Sequence, residues 1–103
     1  MEAQTLLREF APRAAPYRDG LLLFHADDAL QLVNRAAEVG VPVVRIGGRH
    51  EGSGQLPDDG ADFAAAVAEG HGCWTEAEAF IRQRQDRGLV FEVTLGDDPI
   101  NAA

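Results

Sequence analysis

Three histidines, one cysteine and a band of carboxylates are the residues of this 103-residue chain whose types suit chemistry. His25 runs into Ala26-Asp27-Asp28, and further on stands Gly47-Gly48-Arg49-His50-Glu51. An imidazole beside carboxylates can move a proton, and an arginine among glycines can hold an anion. His71 and Cys73 add a His-x-Cys pair, and Ser53 lies in the glycine-dense run GGRHEGSG. Each pattern stops short of a signature. Zinc sites pair their ligands at CxxC or HxxxH spacing, and neither spacing occurs here. The glycine run matches neither GxxxxGK[ST] nor GxGxxG, and Ser53 lacks the strand–turn–helix elbow that would orient a nucleophile. Cys73, near the start of a predicted helix, can be acidified by that helix end, yet beside Trp74 it reads equally as packing. No metal and no cofactor is expected.

Charge adds a second kind of candidate. The formal net charge is -8, and all nine basic residues are arginine. An acidic surface repels phosphate backbones, so nucleic acid is not an expected partner, whereas a basic protein is attracted. The densest acidic stretch runs from Glu51 to Glu78, and Glu51, Asp58, Asp59 and Asp62 are its candidate binding residues. Nothing marks any two of its carboxylates as a catalytic pair, and a solvated face keeping a small protein soluble is the plainer account of them.

These residues must be carried by elements that the patterning predicts. Residues 2–11 read as a helix with Leu6, Leu7 and Phe10 at helical spacing, stopped by Pro12 and Pro16 before an extended link through Tyr17 to Gly20. Leu21 to Phe24 is apolar on both faces, as in a central strand, and ends at His25. Asp27 or Asp28 is placed to cap a helix with the stripe Ala29, Leu30, Val33, Ala36 and Ala37, and Gly40 to stop it. A second strand over 41–46 buries Val41, Val43 and Ile46. Residues 47–60 read as a long loop that exposes Arg49 and His50, and 61–69 as an alanine-rich helix anchored by Phe63 and Val67 and broken at Gly70. Thr75 and Glu78 fit a capping box for a third long helix, with Trp74 just before the cap. Leu89, Phe91, Val93 and Leu95 then alternate with Val90, Glu92 and Thr94, a strand with one half-exposed face or an edge position, and residues from 96 form a tail.

The implied fold class is α/β, with α+β as the alternative: one domain over residues 1–103, with three to four helices on a small three-stranded mixed sheet. Strand, helix and strand over 21–46 form a parallel βαβ unit. Ligands favour the carboxyl ends of parallel strands, so His25, Arg49 and His50 should share one rim. With a single cysteine, no signal-peptide pattern and no apolar run long enough to span a bilayer, the expected setting is cytoplasmic, without a membrane partner.

In size, acidity and fold class the chain resembles bacterial immunity proteins that mask basic toxins. That likeness is one of bulk properties, carried by no motif, and transfers no residues. Two functions stand side by side. The first is a non-enzymatic module whose acidic face docks on a basic protein. The second is a small enzyme or ligand-binding domain using the rim at His25, Arg49 and His50. Homo-oligomerisation is compatible with either.

Overall fold

The computed structural model describes residues 2–14, 22–50 and 59–96, with His50 and Asp59 described by backbone alone. Helix α1 (Ala3–Phe10) is followed by a 3₁₀ turn at Ala11–Arg13, then strand β1 (Leu23–His25), helix α2 (Ala26–Val39) and strands β2 (Val43–His50) and β3 (Asp59–Asp62). A short helix α3 (Ala64–Ala68), helix α4 (Trp74–Arg84), a 3₁₀ turn at Gln85–Arg87 and strand β4 (Leu89–Leu95) complete the order. The predicted extended link at 15–20 and the tail beyond Gly96 lie outside the described residues.

The sheet has four strands in the order β1-β4-β2-β3, and every neighbouring pair is antiparallel. The expected three-stranded mixed sheet with a parallel βαβ unit is therefore not formed, and the architecture is α+β. The last strand inserts between β1 and β2, which point the same way without pairing. Its alternating pattern suggested an edge, yet it is central. The all-apolar first strand is at an edge instead: Phe24 enters the main core, while Leu23 pairs with Val90 in a small cluster of its own.

Faces follow from register. Phe24, Ile46, Leu89, Phe91, Val93 and Leu95 pack with α1, α2 and α4 in one core. The opposite face carries Leu23 and His25 from β1, and Val90, Glu92 and Thr94 from β4. From β2 it carries Arg45, Gly47 and Arg49. Alternation alone would put Val43 and Arg45 on one side, but a bulge between them shifts the register and turns Arg45 outward while Val43 stays buried. Of the predicted loop 47–60, Gly47 and Gly48 lie inside β2 and Gly60 inside β3. Gly48 is needed on the core side, where a Cβ would meet Leu89 Cδ1 at 3.0 Å and Phe91 at 3.4 Å.

Local signals fare unevenly. Helix α2 buries Ala29, Leu32, Val33 and Ala36, and ends at Gly40 in the left-handed conformation, with the Val41 N–H donating to Ala36 O as in a Schellman close. Its cap position is His25, with Asp27 and Asp28 in the first turn, where they complement the dipole. The predicted capping box does not form. Helix α4 begins two residues earlier, at Trp74, behind Cys73 in the left-handed region (φ 61°), and no side chain caps it. Trp74 is recruited to the core instead: its Nε1–H donates to Val41 O at 2.7 Å, and its ring covers Gly72. Glu78 pairs with Arg82 at 2.9 Å.

Replacing Gly72 by alanine should cost about 1–3 kcal/mol, the range for overpacking, because its Cβ would run into the Trp74 ring that Val41 holds in place. Thr75→Ala should cost less than about 0.5 kcal/mol, as expected for an exposed side chain without a capping role. Urea denaturation of both variants checks this pair of outcomes, and a loss of about 1 kcal/mol at Thr75 would reinstate the capping box.

Candidate functional site

At the end of the sheet where β1 stops, the first turn of α2 and the turn between α4 and β4 enclose an open pocket of about 350 Å³. His25, Ala26 and Asp27 line one side, and Gln85, Asp86, Gly88 and Leu89 the other. The sequence places them there for separable reasons. His25 ends a strand that has only three residues, and Asp27 follows in the helix that starts at once. Gly88 takes a left-handed φ of 69°, which lets the chain leave the 3₁₀ turn and enter β4 beside β1. Asp27, Asp28 and Asp86 form no ion pair with another described residue. Asp86 escaped the sequence reading, since a polar helix end carries no motif.

The same rim receives the other two predicted residues in part. Val90 pairs with His25 on one side and with Arg49 on the other. His25 and Arg49 therefore share one row and one face, about 10 Å apart across two strand spacings. His50 stands in the next row, opposite Leu89. Arg49 is not an exposed loop residue, as the glycines implied. It sits within β2 with 6% of its surface exposed, and its Nη2 donates to Glu92 Oε2 at 2.9 Å. Burial of that guanidinium is tolerated because a carboxylate from the adjacent strand meets it. Glu92 was legible as the one charged position of an alternating strand, but its partner was not.

Of the predicted acidic face, Glu51 and Asp58 lie outside the described residues, and Asp59 is described only as the first residue of β3. Asp62 is occupied: one carboxylate oxygen accepts the Ala64 N–H at 2.8 Å, and the other pairs with Arg45 at 3.2 Å. These contacts, the backbone N–H first and Arg45 second, hold its carboxyl below the ordinary aspartate range. Arg35 pairs with Glu9 and Glu38, and Arg82 with Glu78. Arg84 lies over the Phe80 ring, 3.8 Å from its centroid, and Arg13 over Phe10. Most described arginines are thus engaged within the fold.

Cys73 is buried, and burial, followed by the nearby Glu76 carboxylate, pushes its thiol above its usual value, the opposite of the acidification that a helix start can provide. Among the described residues no three of His, Cys, Asp and Glu stand close enough to hold a metal ion, and no helix is long and apolar enough to cross a membrane. No family model matches the chain, and no curated protein or solved structure shows significant similarity to it.

Two outcomes test this geometry. Arg49→Ala should destabilise the fold by about 2–4 kcal/mol, since it strands a partly buried carboxylate, while the double change Arg49→Met with Glu92→Leu should recover most of that loss. Strict additivity in the double-mutant cycle would refute the coupling. Second, the Asp62 carboxyl should titrate below the ordinary aspartate range in a carbon-detected NMR titration. Its stabilising contribution is then present above the unfolded value and lost as pH falls through the lowered one, in acid below about pH 4. Arg45→Ala should raise that value only in part, because the Ala64 N–H remains.

Proposed function

We propose that the chain is a non-enzymatic binding module that docks a basic protein partner on the rim at the carboxyl ends of β1 and β2. One observation carries the reading: Asp27, Asp28 and Asp86 stand at this rim with no ion pair to another described residue, while Arg13, Arg35, Arg45, Arg49, Arg82 and Arg84 are tied to carboxylates, to rings or to backbone. The hairpin bearing the predicted acidic residues opens onto the same end, since β2 ends at His50 beside Leu89 and β3 begins at Asp59 beside Gly48. Glu51 and Asp58 adjoin those two ends in sequence. On this reading Glu51, Asp58 and Asp59 extend the docking surface of the rim, whereas Asp62 stands at the far end of β3 beside Arg45. A net charge of -8 adds long-range attraction for a cationic partner.

The ligand-binding alternative at His25, Arg49 and His50 is supported less well. The rim pocket is open and mostly polar, unlike the enclosed, largely apolar cavities that hold small ligands. Arg49 there is committed to Glu92.

Against a basic protein recovered by cross-linking, Asp27→Lys and Asp86→Lys should each slow association several-fold at low salt and change dissociation less. The effect should shrink as ionic strength rises toward about 0.5 M, where screening cuts off within a few ångströms. Stopped-flow association measured over a salt series reads both. A partner whose association rate ignores salt and both substitutions would overturn the proposal.

A further inference from the structure

The face of the sheet turned away from the helices holds a second cavity, of about 170 Å³, lined by Arg45, Gly47, Arg49, Glu92 and Thr94. Its floor is Gly47, which has no side chain. Gly47 pairs with Gly60 on β3 and with Glu92 on β4, and the row continues to Leu23 on β1. On one side of this trough the next row runs Thr94, Arg45, Asp62, and on the other stands Arg49 opposite Val90. The two arginines are four residues apart on one strand face, roughly 13 Å at the backbone, and both reach the cavity. In a chain of net charge -8, a pocket lined by two arginines and one glutamate goes against the overall sign.

The arginines differ in how firmly they are held. Arg49 is buried, and its 2.9 Å pair with Glu92 is shielded, so that each charge is met by the other. Arg45 and Asp62 pair in solvent, with 65% and 54% of their side chains exposed, and such pairs are close to energetically neutral. Arg45 can therefore exchange Asp62 for another carboxylate without loss to the fold. A guanidinium presents its donors as a planar fork that fits two carboxylate oxygens at once. The Gly47 floor lets a flat group approach the backbone, and Thr94, paired with Arg45 across the strands, lines the same cavity with a hydroxyl side chain.

We infer that this trough binds a small carboxylate, held by Arg45 in place of Asp62 and seated over Gly47. The carboxylate can come from a free small acid or from the carboxyl terminus of a peptide. The surface differs from the acidic rim, and the inference does not depend on the rim's function.

Titration of the labelled protein with sodium acetate, against sodium chloride at equal ionic strength, tests it through the amide shifts of Gly47, Gly60 and Thr94. Saturable shifts confined to these residues are expected, with millimolar affinity. Arg45→Ala should weaken binding at least about tenfold, as loss of a bidentate charged pair does. Asp62→Asn, which removes the internal competitor, should tighten it several-fold, a gain that a purely structural Arg45–Asp62 pair would not give. Gly60→Val leaves every charge in place but sets a side chain against the floor residue, its Cβ 3.9 Å from Gly47 Cα, and should weaken the shifts strongly. N-acetylglycine separates the two sources: binding tighter than acetate identifies a peptide terminus, and equal or weaker binding a free acid. Shifts scattered over the other arginines, equal response to phosphate, or indifference to Asp62→Asn would each overturn the inference.

Discussion

The insertion of β4 between β1 and β2 is the constraint on which the rest of the structure depends. Strands β1 and β2 have no contact as a ladder without it, and β3 is attached only through β2. Its apolar face supplies Leu89, Phe91, Val93 and Leu95 to the core beneath the helices, with Phe91 edge-on to Phe80 at 6.2 Å. Its polar face supplies Glu92, which meets Arg49 from 43 positions away. A centre built from the last strand is a long-range arrangement, so closure of the sheet must await the end of the described chain. The rim inherits its geometry from this insertion, because Val90 is what holds His25 and Arg49 in one row.

What the sequence made legible was local. Three positions of the α2 stripe (Ala29, Val33 and Ala36, while Ala37 is exposed and the buried Leu32 was missed), the Gly40 stop, the alternation of β4 and the buried positions Val41, Val43 and Ile46 follow from periodicity and from glycine's tolerance of positive φ. What it hid was either long-range or carried by residues in unfavoured places. Gly47 and Gly48 sit in a strand, although glycine disfavours strands, because Leu89 and Phe91 occupy the space that a side chain at 48 would need. The bulge after Val43 breaks the alternation that would have announced β2 as far as His50. Thr75 and Glu78 satisfied a helix-start pattern, but the Trp74 hydrogen bond to Val41 goes with a helix start two residues earlier. The parallel unit failed for a similar reason: no local pattern reveals that a third strand will come between two others.

The candidate site was legible as a place more than as a set of contacts. His25 and Arg49 do meet on one row, yet as an exposed cap residue and a buried ion-pair member, not as two loop side chains. Asp86 and Glu92, which give the two pockets their character, lie at positions whose significance appears only once β4 is seated between its neighbours. Charge behaves likewise. The sum was plain from composition, but its distribution depends on which arginines the fold engages and which carboxylates it leaves at the rim.

The central claim is that a cationic partner covers this rim, and amide hydrogen exchange of the complex with its basic partner tests it most directly. The account predicts slowed exchange at residues 25–28 and 85–89, with the exposed amides of α3 unchanged. Protection on α3 or on the helical face, with residues 25–28 and 85–89 exchanging as in the free protein, would contradict it.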